Sequence, residues 1–211
     1  MPLPAETQFP PELLREMADP IKLAQVCWPS VTFYREQRQI IYSVEENDET
    51  YVVAGNMLGK DFITGYICLR AFLVNTVARI VTTSVKDDHL RVLWGEIGRF
   101  ITTCRFPLVY NKSVKNPGPL RINHRDITKV DQKTGEVDRI SYLRGMVSER
   151  GEGLAGHHAP YTLAVGDEAS GIEDQSYMQF QGWAKRMLFI GNPNPSQGFF
   201  YKNVKAGDLR A

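Results

Sequence analysis

The stretch YVVAGNMLGKD, residues 51–61, decides the fold of this chain of 211 residues. It opens with four apolar residues of a kind that favours a short buried strand. A glycine-bearing loop follows and ends in Gly59-Lys60. Residues 62–74 are then apolar and favour a helix. The stretch therefore predicts a strand, a glycine loop and a helix in direct succession.

That succession is the P-loop arrangement, in which backbone N–H groups and a helix N-terminus form an anion site. Lys60 stands where a lysine reaches the β and γ phosphates of a nucleotide, and Gly59 lets the backbone approach them. The match has two departures. Ala54 replaces the usual first glycine, and Asp61 replaces the Ser or Thr that offers a hydroxyl to Mg²⁺. By itself, the loop equally fits a glycine turn beside a surface lysine.

The rest of the chain repeats the alternation of strands and helices. A turn signal at residues 133–136 indicates a hairpin. Further strands are predicted at residues 78–83, 161–165 and 187–190, and further helices at residues 34–46, 87–103 and 175–184. Strands separated by helices imply a mainly parallel central sheet flanked by helices, a three-layer α/β fold. We expect a proline-rich arm or helical lead-in over residues 1–30 and this domain over residues 31–211.

Composition excludes several classes of protein. Hydrophobic residues make up 43% of the chain, which supports a packed core, and the net charge is only +1. The three cysteines are widely spaced and form no CxxC pair, which argues against a zinc site or a disulfide framework. We expect neither a secretory signal nor a membrane span. These features indicate a globular protein of a reducing compartment.

The charge is distributed unevenly. Residues 105–150 contain ten Lys or Arg against five Asp or Glu. This local excess indicates either contact with a polyanion or a solvated surface hairpin.

An acidic pair, Asp167-Glu168, closely follows the predicted strand at residues 161–165, after Gly166 interrupts it. Carboxylates at the end of a buried strand are unfavourable unless they bind metal or take part in chemistry. In P-loop ATPases of the additional-strand, catalytic-glutamate (ASCE) class, the first acid orients Mg²⁺ and the second polarises the attacking water. Asp167 and Glu168 fit those two roles. The alternative is a pair of acids that cap a helix.

Four segments in order carry a resemblance to a known family. They are QRQII (37–41), GNMLGKD (55–61), GHH (156–158) leading into VGDEASG (165–171), and IGNPNP (190–195) followed by GFFY (198–201). Together they resemble the N-terminal ATPase domain of the large terminase subunit of tailed bacteriophages, the motor that pumps DNA into procapsids. The resemblance spans about residues 30 to 202.

The resemblance implies hydrolysis of ATP with Mg²⁺ and assigns roles to particular residues. Glu168 and Lys60 would be catalytic, and Asp167 and Asp61 would hold Mg²⁺. Gln37 would contact adenine, although it also fits a solvated helix residue. Asn192 would sense the γ-phosphate, although it also fits a turn former before proline. The implied nucleotide-binding residues are Gln37, Gly55, Asn56, Met57, Leu58, Gly59, Lys60, Asp61 and Asn192.

Many terminases carry an arginine in the P-loop, where this chain has Asn56 and Met57. The resemblance then implies that a neighbouring subunit supplies an arginine, which stabilises the charge of the transition state. Arg139, Arg144 and Arg150 are the candidates, with Arg150 preferred, and each also fits ordinary surface charge.

The resemblance also implies partners. These are double-stranded DNA contacted through its phosphates, the portal protein, the small terminase subunit and further copies of the chain in a ring, in the cytoplasm of the infected bacterium. We expect no nuclease activity in this chain, because it lacks the carboxylate cluster of the terminase nuclease domain. Two alternatives remain: another P-loop DNA motor, such as a helicase or recombination ATPase, and a degenerate domain that docks without hydrolysis.

Overall fold

A computed structural model describes residues 18–55, 58–147, 153–192 and 197–208 of the chain. Several predicted features fall outside these ranges: the lead-in before residue 18, the loop residues Asn56 and Met57, Arg150, and residues 193–195 of the last family segment. No helix in the described ranges is long and apolar enough to cross a lipid bilayer.

The predicted alternation of strands and helices holds except over residues 120–167, where four strands follow one another. The helices are α1 (Pro20–Cys27), α2 (Arg35–Glu46), α3 (Lys60–Val74), α4 (Asp87–Thr103), α5 (Asp174–Gln181) and α6 (Phe199–Asp208). The strands are β1 (Glu49–Val53), β2 (Ala78–Ser84), β3 (Leu120–Asn123), β4 (Asp126–Val130), β5 (Val137–Val147), β6 (Tyr161–Asp167) and β7 (Arg186–Gly191). A short 3₁₀ turn at Ala169–Gly171 follows β6.

The seven described strands form one sheet in the order β1-β7-β6-β2-β5-β4-β3. The first five pair in parallel, and β4 and β3 complete one edge as antiparallel strands. Helices α2, α3 and α4 contribute to an apolar core on one face, and α5 and α6 contribute to a core on the other. The predicted three-layer α/β fold with a mainly parallel sheet is confirmed.

The first core joins the lead-in helix to the sheet. Leu23 and Cys27 of α1 are buried in it, and Trp28 packs edge-on against Tyr66 and Phe100. The Trp28 indole N–H also donates to the Phe100 carbonyl oxygen over 2.7 Å. Residues 20–28 therefore pack as part of the domain core. The domain boundary at residue 30 stays a prediction.

Two local expectations change in the folded chain. The predicted turn at residues 133–136 does join β4 to β5, with Gly135 at φ 78°. Strand β5, however, pairs in parallel with β2 inside the central sheet, so the basic segment is more than a surface hairpin. Gly166 does not interrupt its strand, because β6 continues through it to Asp167. A side chain there would lie 2.7 Å from Phe189 Cδ1, so the packing of the second core requires glycine.

Candidate functional site

Three polar side chains meet at the carboxyl edge of the sheet. Lys60 begins α3 a few residues after β1, Asn192 follows β7, and Glu168 follows β6. Strand β7 lies between β1 and β6. This strand order places Asn192 between the lysine and the glutamate, at the edge where open parallel sheets bind ligands.

The three side chains contact one another. Lys60 Nζ lies 2.8 Å from Glu168 Oε1 and 3.5 Å from Asn192 Oδ1. Asn192 Nδ2 in turn lies 3.4 Å from Glu168 Oε2. Lys60 is only 7% exposed, and the side chain of Glu168 is 24% exposed. The site therefore contains a largely buried ion pair bridged by an amide.

The local backbone directs these side chains. Gly59 caps α3 at φ 73°, a left-handed conformation that glycine adopts without strain. Glu168 adopts φ 49°, which is uncommon for a residue with a Cβ and is characteristic of functional sites. Glu168 precedes the 3₁₀ turn, but its side chain makes no capping hydrogen bond there. The helix-cap alternative for Glu168 is therefore wrong, and its carboxylate turns towards Lys60.

Gln37 lies beside the glycine loop. Its side chain is 6% exposed, so the solvated-residue alternative is wrong. The Oε1 atom accepts a hydrogen bond of 3.1 Å from the Tyr34 backbone N–H at the start of α2. The Nε2 atom lies 3.1 Å from the position that a Cβ on Gly59 would occupy. Gln37 thus links α2 to the loop, and its contact with adenine stays a prediction.

The carboxylates of the site are held in an unfavourable environment. Asp167 is 3% exposed, and burial raises its pKa to about 7, with the charges of Asp61 and Glu168 adding to the rise. Burial also raises the pKa of Asp61, while the neighbouring Lys60 opposes that shift. Three carboxylates thus share one nearby lysine. A divalent cation would offset this excess of negative charge.

The donor set fits a cation bound together with phosphate. Within the described ranges, no group of three or more His, Cys, Asp or Glu side chains is arranged to hold a metal ion. Mg²⁺ typically takes one or two carboxylates and completes its shell with water and phosphate oxygens. Asp167 and Asp61 match that requirement. The buried hydroxyls of Thr64 and Ser84 also lack a hydrogen-bond partner among the described residues.

Comparisons with known proteins agree with the overall fold. No protein-family model matches the chain. A probable terminase large subunit of Enterobacteria phage P7 is 25% identical, over 79% of this chain and 33% of that protein. The chain therefore spans about a third of the length of this curated relative.

Two solved structures share the architecture. The large terminase of bacteriophage HK97 superposes with a TM-score of 0.60 and 11% identity, covering 88% of this chain and 39% of that one. The ATPase domain of the Thermus phage P74-26 large terminase superposes with a TM-score of 0.58 and 13% identity, covering 86% and 72%. The fold is that of a large terminase ATPase domain. The resemblance predicted from the four sequence segments is confirmed.

Other predicted residues of the terminase-like site are exposed or are paired elsewhere. Gly55 and Leu58 flank the undescribed part of the loop, and Leu58 is 63% exposed. Among the candidate arginines, Arg139 is exposed. Arg144 is ion-paired to Asp126 over 2.7 Å. These two arginines are not brought to Lys60 and Glu168 within the chain.

Two site-facing residues escaped the sequence analysis. Neither Thr64 nor Ser84 received a functional role from the sequence. The signal that could have found them is Asp61, because a P-loop that lacks its usual hydroxyl invites a search for another nearby. Thr82 on the same strand is paired, since its Oγ1 accepts from the Trp94 indole over 3.0 Å.

A cleft of about 850 Å³ lies at the opposite edge of the sheet. It is lined by the residues that begin β1, β7 and β6, namely Glu49, Arg186 and Tyr161. Ligands of open α/β sheets bind at the carboxyl ends of the strands, whereas this cleft lies at their amino ends. The cleft is therefore separate from the candidate site formed by Lys60, Asn192 and Glu168.

Proposed function

We propose that this chain is the ATPase motor domain of a viral DNA-packaging terminase, which hydrolyses ATP to drive double-stranded DNA into a procapsid. The proposal rests on the contacts between Lys60, Asn192 and Glu168 at the carboxyl edge of the sheet. Strand β7, which precedes Asn192, lies between β1, which precedes Lys60, and β6, which precedes Glu168. A strand inserted between the P-loop strand and the acidic strand is the arrangement expected for ASCE ATPases. The similarity to terminases in sequence and fold supports the same reading.

The proposed mechanism begins with an exchange of partners. Lys60 is paired with Glu168, and the phosphates of ATP compete for the same ammonium group. Once Lys60 contacts phosphate, the Glu168 carboxylate is free to accept a proton from a water and to orient it for in-line attack on the γ-phosphate. Asn192, which contacts both groups, reports the presence of the γ-phosphate to β7.

Charge stabilisation comes from several groups of the chain. Lys60 and the backbone N–H groups of the loop neutralise phosphate oxygens as charge moves on to them. Asp167 and Asp61 would hold Mg²⁺, which withdraws charge from the phosphates when bound. Gln37, buried beside Gly59, would hydrogen-bond the base and select adenine.

The active assembly is proposed to be a ring of copies on the portal protein, fed by the small terminase subunit, in the cytoplasm of the infected bacterium. An arginine of the neighbouring copy would complete the site, because the loop supplies none. Arg150 remains the preferred candidate for this role.

The DNA-binding surface is proposed at the antiparallel edge of the sheet. Residues 105–125 contain five Lys or Arg and no Asp or Glu. Arg105, Lys112, Lys115 and Arg121 are exposed, while Arg125 is paired with Asp87. Exposed cations without acidic neighbours favour contact with phosphates and read no base sequence.

The test is ATP binding and hydrolysis by the 211-residue chain with Mg²⁺, with and without double-stranded DNA. We expect Lys60→Ala to weaken nucleotide binding and Glu168→Gln to abolish turnover. Lys86→Ala and Glu173→Gln, which change exposed residues, serve as matched controls. The enzymatic proposal is rejected if neither Lys60→Ala nor Glu168→Gln alters binding or turnover.

The same assay separates the two alternatives. Hydrolysis stimulated by single-stranded DNA, or strand separation, would indicate a helicase or recombination ATPase. Failure of the wild-type chain to bind Mg-ATP would indicate a degenerate docking domain. The half-buried carboxylate of Asp61, next to Lys60 in the place of the usual hydroxyl, is the feature that favours this last outcome.

A further inference from the structure

Two buried hydroxyl groups, one in α3 and one at the carboxyl end of β2, lack hydrogen-bond partners among the described residues. Thr64 is 1% exposed and Ser84 is 0% exposed. Neither Thr64 Oγ1 nor Ser84 Oγ has a hydrogen-bond partner within the described part of the chain. An unsatisfied buried hydroxyl is destabilising, so native proteins nearly always pair such groups. Both hydroxyls therefore require an explanation.

Ser84 lies beside Asp167 on the same face of the sheet. Thr83 of β2 is in register with Gly166 of β6, and Ser84 and Asp167 are the next residues of the two strands. The absent side chain of Gly166 faces the second core, since a Cβ would meet Phe189 there. Side chains alternate along a strand, so Asp167 and its neighbour Ser84 face the other side, towards α3 and α4.

Thr64 approaches the same point from the helix. It follows Asp61 by three residues and precedes Cys68 by four in α3, so these three side chains share one helix face. Helix α3 packs against β2, the strand that ends in Ser84. Thr64 therefore lies on the helix face that carries Asp61, in a helix that covers β2.

The unpaired state is confined to this end of β2. Thr82 Oγ1 donates to the Arg144 carbonyl over 3.3 Å, and Thr83 Oγ1 donates to the Met146 carbonyl over 2.7 Å. Only the third hydroxyl of the strand, at the site-facing end, lacks a partner in the described structure.

These positions bear on the main departure of the P-loop, the presence of Asp61 where a hydroxyl is usual. We infer that Ser84 and Thr64 supply the missing hydroxyl oxygens to the coordination sphere of Mg²⁺, as ligands or through metal-bound waters. The inference rests on the proposed function. Mg²⁺ demands a full set of oxygen donors and keeps several waters, which need acceptors of their own. A hydroxyl that accepts from such a water can donate to a carboxylate, and both capacities are then satisfied.

The inference is tested by binding, without reference to turnover. The affinity of the 211-residue chain for a fluorescent ADP derivative is measured with Mg²⁺ and again with EDTA. We expect Ser84→Ala and Thr64→Val each to reduce the Mg²⁺-dependent gain in affinity by roughly 10-fold or more, as losing a partner of a metal's ligand shell does. The affinity in EDTA should remain within about 2-fold, because the phosphate contacts of the loop are untouched.

Matched variants separate a hydroxyl effect from a packing effect. Thr64→Ser and Ser84→Thr keep the oxygen and should retain the gain. Thr83→Val removes a buried hydroxyl from the opposite face of the same strand and should also retain it. If Ser84→Ala does not fold, as judged by thermal melting, Thr64→Val with its rescue Thr64→Ser decides the matter.

The result has three informative outcomes. The inference is supported if Ser84→Ala and Thr64→Val lose the Mg²⁺-dependent gain in affinity while the control variants keep it. Retention of the full gain in these variants, with loss in Asp167→Asn, overturns it and leaves the proposed function standing. Absence of any Mg²⁺-dependent gain in the wild-type chain overturns both.

Discussion

Lys60 donates a hydrogen bond to Glu168 over 2.8 Å, which joins the residue proposed to bind phosphate to the one proposed to activate water. The two residues are 108 positions apart in the chain. The pair is largely buried, so its attraction is screened less than that of a surface pair. In the proposed mechanism ATP competes with Glu168 for Lys60, and this competition would couple nucleotide binding to release of the proposed base.

The first prediction concerns the partner of this lysine. Glu168→Gln should lower ATP turnover by at least about 100-fold, since the amide cannot act as a base. It should also tighten ATP binding, because Lys60 loses its charged competitor. Turnover and equilibrium binding of ATP, measured on the same preparation, check both parts. Weaker binding in Glu168→Gln would contradict the competition, and the exposed Glu173→Gln should change neither quantity.

The second prediction concerns pH and Asp167. The pKa of Asp167 is about 7 in the folded chain, whereas its ordinary value is 3.8. Between these two pH values the folded state therefore binds more protons than the unfolded state. The free energy of unfolding therefore falls as pH rises through this window and levels off above it. Asp167→Asn removes the ionisation, so the variant should gain stability relative to wild type as pH rises.

Chemical denaturation of both proteins at pH 5.5 and pH 8 measures this gain. At about 1.36 kcal/mol for each pH unit between 5.5 and 7, the advantage of Asp167→Asn should be larger at pH 8 by about 2 kcal/mol. An advantage that is the same at both pH values would show that Asp167 is ionised in the folded chain throughout.

The third prediction concerns Gly166. A methyl group there would lie 2.7 Å from Phe189 Cδ1 and 2.8 Å from Ile172 Cδ1. Gly166→Ala should therefore cost about 1–3 kcal/mol of stability by overpacking the second core. Gly98→Ala is the matched control, because it lies in α4 with no atom within 4 Å of its new Cβ. That variant should gain up to about 1 kcal/mol, so a denaturation series showing equal effects would refute the packing argument.

The fourth prediction concerns the choice of base. Gln37→Ala should reduce the preference for ATP over GTP by at least about 10-fold, since the hydrogen bonds that would distinguish the bases are lost. Competition between the two nucleotides for binding measures the preference. Gln39→Ala changes an exposed glutamine of the same helix and should leave it intact. An unchanged preference in Gln37→Ala would restrict this residue to joining α2 to the loop.

The fifth prediction concerns DNA. Replacing Lys112, Lys115 and Arg121 together by Ala should weaken binding of double-stranded DNA of any sequence. Affinity should also depend less steeply on salt. The magnitude of the slope of log affinity against log salt concentration should decrease by roughly 2–3, since each phosphate contact contributes about 0.9. The control removes three exposed lysines elsewhere: Lys22, Lys202 and Lys205. Equal losses in the two triple variants would place the DNA on another surface.

The sequence by itself determined the elements and the chemistry they carry. The apolar run before Gly59-Lys60 and the helix after it are local features, and local periodicity is enough to predict them. Asp167 and Glu168 stood out because acids at the end of a buried strand need a reason. Asn192 was connected to them only through the family resemblance, since its position beside the acidic strand is not visible in the chain order.

Only the tertiary structure decided which side chains meet. The insertion of β7 between β1 and β6 brings Lys60, Asn192 and Glu168 together, and this strand order depends on packing across the whole sheet. The same holds for Gly166, whose need for glycine comes from Phe189 on the adjacent strand. The unpaired hydroxyl of Ser84 was invisible for a related reason. Whether a hydroxyl is satisfied depends on the atoms that surround it after folding, and most of these are distant in sequence.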